Sequence, residues 1–296
     1  MTSLPRVVAT DLDGTLLRSD GAVSTYTRAV LRLLGERGVE LIAVTARPPR
    51  WLEALEGLTG SHGVFLCCNG AVIYEADSRR VLRSEPLPRA TVLQVVADLR
   101  AYVPGISFSV ERLDGGGREP TYVLRHPLPA TAPVRPVEDL FDVPVVKLLA
   151  RCEEMPPAQF HQRVEAVVAG RVELGYSGAV GLAEMTAPGV TKSSGLAAWC
   201  AARGVEPHQV WGFGDMPNDL PMLAWVGRSF AVANAAPEVR AVASDICPDN
   251  DEDGVAQTLD RAFGLTPDGA GGTSAWSEGG AEELGEQVIG VHVEPP

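Results

Sequence analysis

The chain has 296 residues, enough for one large domain or two smaller ones, and its 45% hydrophobic content is that of a globular protein with a buried core. A formal net charge of −13 argues against a general nucleic-acid or membrane-surface binder, since both need a basic face. No apolar run reaches the length of a membrane span, and the stretch at 4–9 lacks the basic lead and the length of a signal core, so a cytoplasmic protein is expected.

Residues 6–11 read as a buried strand that ends on two aspartates, Asp11 and Asp13, followed by Gly14 and Thr15. Residues 24–37 carry Tyr26, Val30, Leu33 and Leu34 at helical spacing, with Ser24 as N-cap and Gly38 as stop. Residues 39–45 form a second buried strand, Pro48 and Pro49 open a helix through Leu58, and residues 64–68 form a third strand. Asn69-Gly70 is a turn signal before a short strand at 71–74. This alternation of strand and helix predicts an α/β fold with a doubly wound parallel sheet.

The pattern then changes. A helix at 88–102 precedes two half-exposed antiparallel strands at 106–111 and 121–125, with a flexible glycine turn at 114–117 between them. A Pro-rich stretch at 127–136 leads to a strand at 145–150, a helix at 158–168 and strands at 172–176 and 180–185. Two similar halves, each a helix and two strands, make an α+β unit inserted at 80–187. The parallel pattern resumes with a helix at 192–203, a strand at 209–214, a short helix at 220–225, strands at 229–233 and 245–247, and a helix at 255–263. The core domain therefore spans 1–79 and 188–265. Residues 266–296, rich in Gly, Ser, Glu and Pro, are expected to form a disordered tail. Cys67, Cys68, Cys152, Cys200 and Cys247 lack CxxC spacing and read as buried thiols in a reducing compartment. His62, His126, His161, His208 and His292 form no HxxxH pair and read as surface or loop residues without a catalytic role.

In doubly wound sheets, ligands bind beyond the carboxyl ends of the strands. Asp11 and Asp13 stand one residue apart, so strand alternation, if continued, turns both towards one small volume. Like charges that close need a cation or a shared proton. A hard divalent cation such as Mg²⁺ takes carboxylate oxygens and leaves room for a phosphate. Thr45, followed by Arg47, ends the second strand, and Lys192 starts the helix that leads into the strand ending Gly214-Asp215-Met216-Pro217-Asn218-Asp219. Together these residues fit metal-assisted phosphoryl transfer. Asp11 attacks phosphorus to form an aspartyl-phosphate, and Asp13 acts as acid and then as base. Asp11 and Asp215, with Asp219 as a further candidate, hold Mg²⁺, while Thr45 and Lys192 bind the phosphoryl oxygens. Taken singly, Thr45, Lys192 and the 214–219 loop also fit a strand end, a solvated lysine and an Asx turn; their joint order carries the chemistry.

These residues resemble the haloacid dehalogenase (HAD) superfamily of phosphohydrolases. Asp11-Leu12-Asp13-Gly14-Thr15 matches the first motif, Thr45 the second, Lys192 the third, and Gly214-Asp215 through Asn218-Asp219 the fourth. The inserted α+β unit resembles the cap of the Cof-type branch, as do Thr45-Ala46-Arg47, Asn69-Gly70 and Ala233-Asn234-Ala235. The resemblance covers residues 6 to about 263 and implies a HAD-like Rossmannoid core. It further implies Mg²⁺-dependent hydrolysis of small phosphate monoesters under a closing cap. By this resemblance Asp13 also offers its backbone carbonyl to the metal. Arg47, Asn69 and Asn218 help bind phosphate or substrate or communicate with the cap, the plainer alternative being surface or turn positions.

Ala46 and Ala233 stand where the branch has glycine, and Ser193 stands in place of another; positive φ at those glycines would mean altered loops here. The expected partner is a small phosphorylated metabolite, with specificity set by cap loops such as 127–136 or 114–117. Competing readings are a sugar phosphomutase or specialised sugar-phosphate phosphatase, and a non-catalytic binding module on the same fold. Retention of Asp11, Lys192 and Asp215 speaks against the binding module.

Overall fold

The computed structural model describes residues 4–55, 57–58, 63–168 and 170–265, so the expected tail at 266–296 lies outside the described residues. Strands β1 (Val7–Thr10), β2 (Glu40–Val44) and β3 (Val64–Cys67) are buried throughout, apart from Glu40, and pair in parallel. Helix α1 (Thr25–Glu36) begins at the expected cap, where the Ser24 hydroxyl accepts from the Thr27 N–H at 2.9 Å, and stops before Gly38 at φ +78°. The helix expected from Pro48 to Leu58 is replaced by short 3₁₀ turns. Trp51, Leu52, Leu55 and Leu58 each donate to the carbonyl three residues back. Leu52, Leu55 and Leu58 recur every three residues and are all buried, which is the period of a 3₁₀ turn and not of an α-helix.

Strand β4 (Val72–Glu75) returns antiparallel to β3, and β5 (Arg80–Ser84) antiparallel to β4. The boundary expected at 80 therefore falls at the start of a strand of the large sheet, and the chain leaves that sheet only after Ser84. The arginines of β5 and its exposure hide it from hydrophobic patterning.

The inserted unit has its own sheet and core. Helix α2 (Arg89–Tyr102), strands β6 (Ser107–Arg112), β7 (Gly115–Arg118) and β8 (Val145–Arg151), helix α3 (Pro157–Val168), and strands β9 (Glu173–Gly175) and β10 (Leu182–Thr186) follow in chain order. The sheet runs β7-β6-β8-β10-β9, all antiparallel. Two expectations change here. The glycines at 115–117 are strand β7 itself, and 121–125 forms no strand because β7 already occupies that side of β6. Glycine is required in β7 because the Pro-rich segment lies directly on it: a Cβ on Gly116 would stand 2.5 Å from Leu128, and one on Gly117 3.2 Å from Pro133.

The chain then returns to the large sheet through α4 (Lys192–Ala201), β11 (Val210–Gly214), α5 (Leu220–Trp225), β12 (Arg228–Val232), α6 (Pro237–Val242), β13 (Asp245–Cys247) and α7 (Gly254–Phe263). Its order is β13-β12-β11-β1-β2-β3-β4-β5, with six parallel strands from β13 to β3. Helices α1 and α7 pack together, and α4, α5 and α6 form a second packed series. Strand order reverses at β1, which has β2 on one side and β11 on the other; a crevice opens there at the strands' carboxyl ends. Among the described residues, no helix is long and apolar enough to cross a membrane.

Candidate active site

The β1–β11 crevice gathers the principal acidic residues and Lys192. Asp11 follows β1 and prolongs its ladder, its N–H donating to the Phe213 carbonyl at 3.0 Å. Its carboxylate is buried and its Oδ1 lies 2.8 Å from Lys192 Nζ. Lys192 opens α4, and Thr191 and Ser194 cap that helix reciprocally, each side chain accepting from the other's N–H. The same Nζ lies 2.7 Å from Asp219 Oδ1. Asp219 Oδ2 accepts from the N–H groups of Asp215, at 3.1 Å, and Met216, at 3.0 Å. Asp219 thus holds both the lysine and the loop that carries Asp215.

Asp215 reaches the loop after β1. Its Oδ1 accepts from Thr15 Oγ1 at 2.7 Å, and its Oδ2 lies where a Cβ on Gly14 would come within 2.5 Å. Gly14 is therefore fixed twice, by this contact and by φ +75°. Asn234 braces the loop from outside: its Nδ2 donates to the Gly14 carbonyl at 2.7 Å, and its Oδ1 accepts from the Asn250 N–H at 3.1 Å.

Burial raises the Asp11 carboxyl well above its usual range; Lys192 pulls it back, and Asp219, Asp215 and Asp13 push it further up. Burial, then the neighbouring Asp219, lifts Asp215 to about 6. For Lys192, burial opposes the charge, but Asp11 and Asp219 outweigh it and its pKa is raised. Oxygens of Asp11, Asp215 and Asp219 all lie within 4.8 Å of one another. This oxygen-only donor set fits a hard divalent cation, and the raised carboxyls mark the charge it would offset. Asp219 already accepts three hydrogen bonds, so Asp11 and Asp215 are the carboxylates with more room for an ion.

Asp13 separates from Asp11. The strand ends at Thr10, the chain turns, and the Asp13 side chain comes out 57% exposed, gripped by Arg47 through Nε at 2.8 Å and Nη2 at 2.5 Å. Alternation along a continuing strand could not foresee that turn. Thr45, at the end of β2, is buried and its hydroxyl accepts from the Arg47 N–H at 3.1 Å. Asn69 adopts φ +57°, its N–H donates to the Thr45 carbonyl at 3.0 Å, and its Oδ1 accepts from Asn218 Nδ2 at 3.3 Å. Gly70 lets this turn meet α4, since a Cβ on it would lie 2.2 Å from the Thr191 carbonyl. Thr45, Arg47, Asn69 and Asn218 thus form one connected rim. Neither Ala46, Ser193 nor Ala233 is among the described residues with positive φ, so the missing glycines leave no strain.

The cap supplies residues that sequence reasoning did not single out. Lys147 Nζ donates to the Ala46 carbonyl at 3.0 Å and pairs with Glu184. Arg50 of the core pairs with Glu111 of β6. His126 stacks edge-on against Trp51 at 4.7 Å. The available signal was charge inside otherwise apolar strands, as at Lys147 and Glu184.

The sequence matches the haloacid dehalogenase-like hydrolase family over residues 8–259. It is 28% identical over 269 residues to the pyridoxal phosphate phosphatase YbhA of Escherichia coli, covering 86% of this chain and 97% of that protein. It is 26% identical over 259 residues to a phosphoglycolate phosphatase of Methanothermobacter thermautotrophicus, covering 88% and 99%. The HAD phosphatase BT1666 of Bacteroides thetaiotaomicron shares the fold, with a TM-score of 0.75 at 20% identity, over 89% of this chain and 96% of that one. The chain belongs to the haloacid dehalogenase-like hydrolases, in their Cof-type branch.

Proposed function

We propose that the protein hydrolyses small phosphate monoesters through an aspartyl-phosphate on Asp11, with Mg²⁺ as cofactor. The observation that carries this reading is the Asp11 carboxylate, buried at the strand-order reversal and held by Lys192 at 2.8 Å beside Asp215. Asp11 and Asp215, with the Asp13 backbone carbonyl and with Asp219 behind them, would hold the metal. Bound there, it supplies charge neutralisation between the nucleophile and the incoming phosphate. Lys192 fixes the orientation of Asp11 and opposes the burial that raises its carboxyl, so it favours the ionised form that attacks phosphorus. The Thr45 hydroxyl, which accepts from Arg47, keeps its own proton to donate to a phosphoryl oxygen. Asp13 gives a proton to the leaving alcohol and then takes one from water, so it must exchange Arg47 for substrate. Arg47, Asn69 and Asn218 line the rim where substrate enters, and the Asn218 Oδ1, buried without a partner, is a free acceptor for it.

The substrate is a small phosphorylated metabolite, which the phosphatase relatives favour. Five buried free thiols favour a reducing, cytoplasmic setting. The test is hydrolysis of a phosphate-ester panel with and without Mg²⁺. Asp11→Asn abolishes turnover if the reading holds; turnover that persists in that variant sinks it.

A further inference from the structure

We infer that Arg151 of the cap receives a second anionic group of the substrate, so that the preferred substrates are phosphate monoesters carrying another carboxylate or phosphate. The inference rests on the phosphatase reading above and adds a substrate class to it.

On β8, Leu148 and Ala150 belong to the cap's own core, which leaves Lys147, Leu149 and Arg151 on the opposite face. That face is turned towards the catalytic domain, because Lys147 donates to the carbonyl of Ala46, next to Thr45. Four buried charges occupy it: Glu111 on β6, Lys147 and Arg151 on β8, and Glu184 on β10. Glu111 is matched by Arg50 and Lys147 by Glu184, in close ion pairs. Arg151 is left over.

Arg151 is 8% exposed, and among the described residues it has no carboxylate partner. One guanidinium nitrogen donates to the Val180 carbonyl at 3.1 Å, and its Nε is buried with no partner. Its other neighbour, the Tyr122 hydroxyl, is pushed by burial up to about 12, so it stays neutral and offers no counter-charge. A buried cation with an unused donor is unfavourable until an anion arrives. The guanidinium fork suits the paired oxygens of a carboxylate or phosphate.

The position looks onto the crevice. The charges of Arg151, Arg47, Asp13 and Arg50 all act on His126, whose ring stacks edge-on against Trp51 of the core, so Arg151 shares its surroundings with residues of the crevice rim. The segment that holds Arg151, around Val180, abuts the metal-site loop, since a Cβ on Gly178 would lie 3.0 Å from Met216 Cε. A leaving group attached to phosphate at Asp11 therefore extends towards this arginine.

The test uses the full chain with Mg²⁺ and two matched pairs of esters. In one pair 3-phosphoglycerate is compared with glycerol 3-phosphate, which replaces the carboxylate by a hydroxymethyl. In the other, fructose 1,6-bisphosphate is compared with fructose 1-phosphate. The doubly anionic member of at least one pair should show a kcat/KM about tenfold higher, mainly through KM, and which pair responds identifies the second anion. Arg151→Gln should collapse that ratio by about tenfold; Arg151→Lys, which keeps the charge but loses the fork, should lower it by roughly threefold. The readout is a ratio, so a general loss of activity cancels. If Arg151→Gln does not fold, the wild-type and Arg151→Lys ratios decide. Hydrolysis of p-nitrophenyl phosphate without preference for either doubly anionic ester, or a preference unchanged in the variants, overturns the inference while leaving the phosphatase reading intact. No hydrolysis of any ester, p-nitrophenyl phosphate included, overturns both.

Discussion

Lys192→Met is the sharpest probe of the crevice. Methionine replaces the apolar stem of the lysine, ending one atom short, and removes the cation that lies 2.8 Å from Asp11 and 2.7 Å from Asp219. Removing one partner of a buried ion pair costs about 3–5 kcal/mol, because the remaining charge is uncompensated. Asp219 keeps its two backbone N–H donors, so most of the penalty falls on Asp11. Asp11 is already raised by burial and only Lys192 draws it down, so in the variant it escapes the penalty by binding a proton. A carboxyl raised in the native state gives stability at low pH that is lost as pH rises through its folded value. The destabilisation is therefore small near pH 5 and grows towards about 3–5 kcal/mol at pH 8, by roughly 1.4 kcal/mol per pH unit across the titration. Urea unfolding in EDTA at the two pH values reads it. A protonated Asp11 is no nucleophile, so kcat should also fall about 10²–10³-fold at pH 7. A loss below about 1 kcal/mol at pH 8, or the same loss at both pH values, would falsify the role of Lys192 as counter-charge to Asp11.

Gly14→Ala places a Cβ 2.5 Å from Asp215 Oδ2 at a φ of +75°; about 1 kcal/mol of stability is lost and the Mg²⁺ needed for half-maximal activity rises about tenfold. An unchanged Mg²⁺ requirement removes Asp215 from the metal site. Asp215 is raised to about 6 and must lose its proton to bind metal, as must Asp11, which is also raised, so the apparent Mg²⁺ affinity falls by at least about tenfold per pH unit below about 6. Calorimetric titration at several pH values measures this, and a flat profile from pH 5 to 7 contradicts it. Without metal, the raised Asp215 carboxyl makes stability decline by about 3 kcal/mol as pH rises from 4 through 6, visible in urea midpoints. Glu111→Gln leaves Arg50 buried without its counter-charge and favours the open cap. Cys68, fully buried on a cavity of about 370 Å³ that Arg50 and Glu111 also line, should then react with maleimide about tenfold faster. Unchanged labelling means the pair does not hold the cap closed.

The core of the site was legible because its residues sit at strand and helix ends and those ends converge. Asp11, Lys192 and Asp215 need only the α/β order to be brought together, and β1, β2 and β11 are apolar enough to announce themselves. What stayed hidden depends on contacts between segments distant in sequence. Arg47 closes on Asp13 only because the chain turns after Thr10. The glycines of β7 look like a flexible turn until the overlying Pro-rich segment explains why nothing larger fits. β5 is a strand by its pairing with β4, with little hydrophobic pattern of its own. The three-residue spacing of Leu52, Leu55 and Leu58 is present in the sequence, but paired prolines open an α-helix as readily as a 3₁₀ turn, so the spacing alone does not separate the two.

Charge links the two halves of the enzyme. In the crevice, three carboxylates face one lysine, so the core holds two negative charges too many until protons or a divalent cation arrive. Across from it, the buried charges on the polar face of the cap make two matched pairs and leave Arg151 without a counter-charge. A divalent cation held by Asp11 and Asp215 would balance the first surplus and leave the crevice able to accept a phosphate. Among the buried charges of the cap's polar face, Arg151 is then the one left without a partner, and the remaining component of the closed complex is the part of the substrate that leaves. An ester with a neutral tail leaves Arg151 as buried and uncompensated as it is without substrate. One with an anionic tail relieves it, and does so only when the cap is shut, so closure itself favours that substrate.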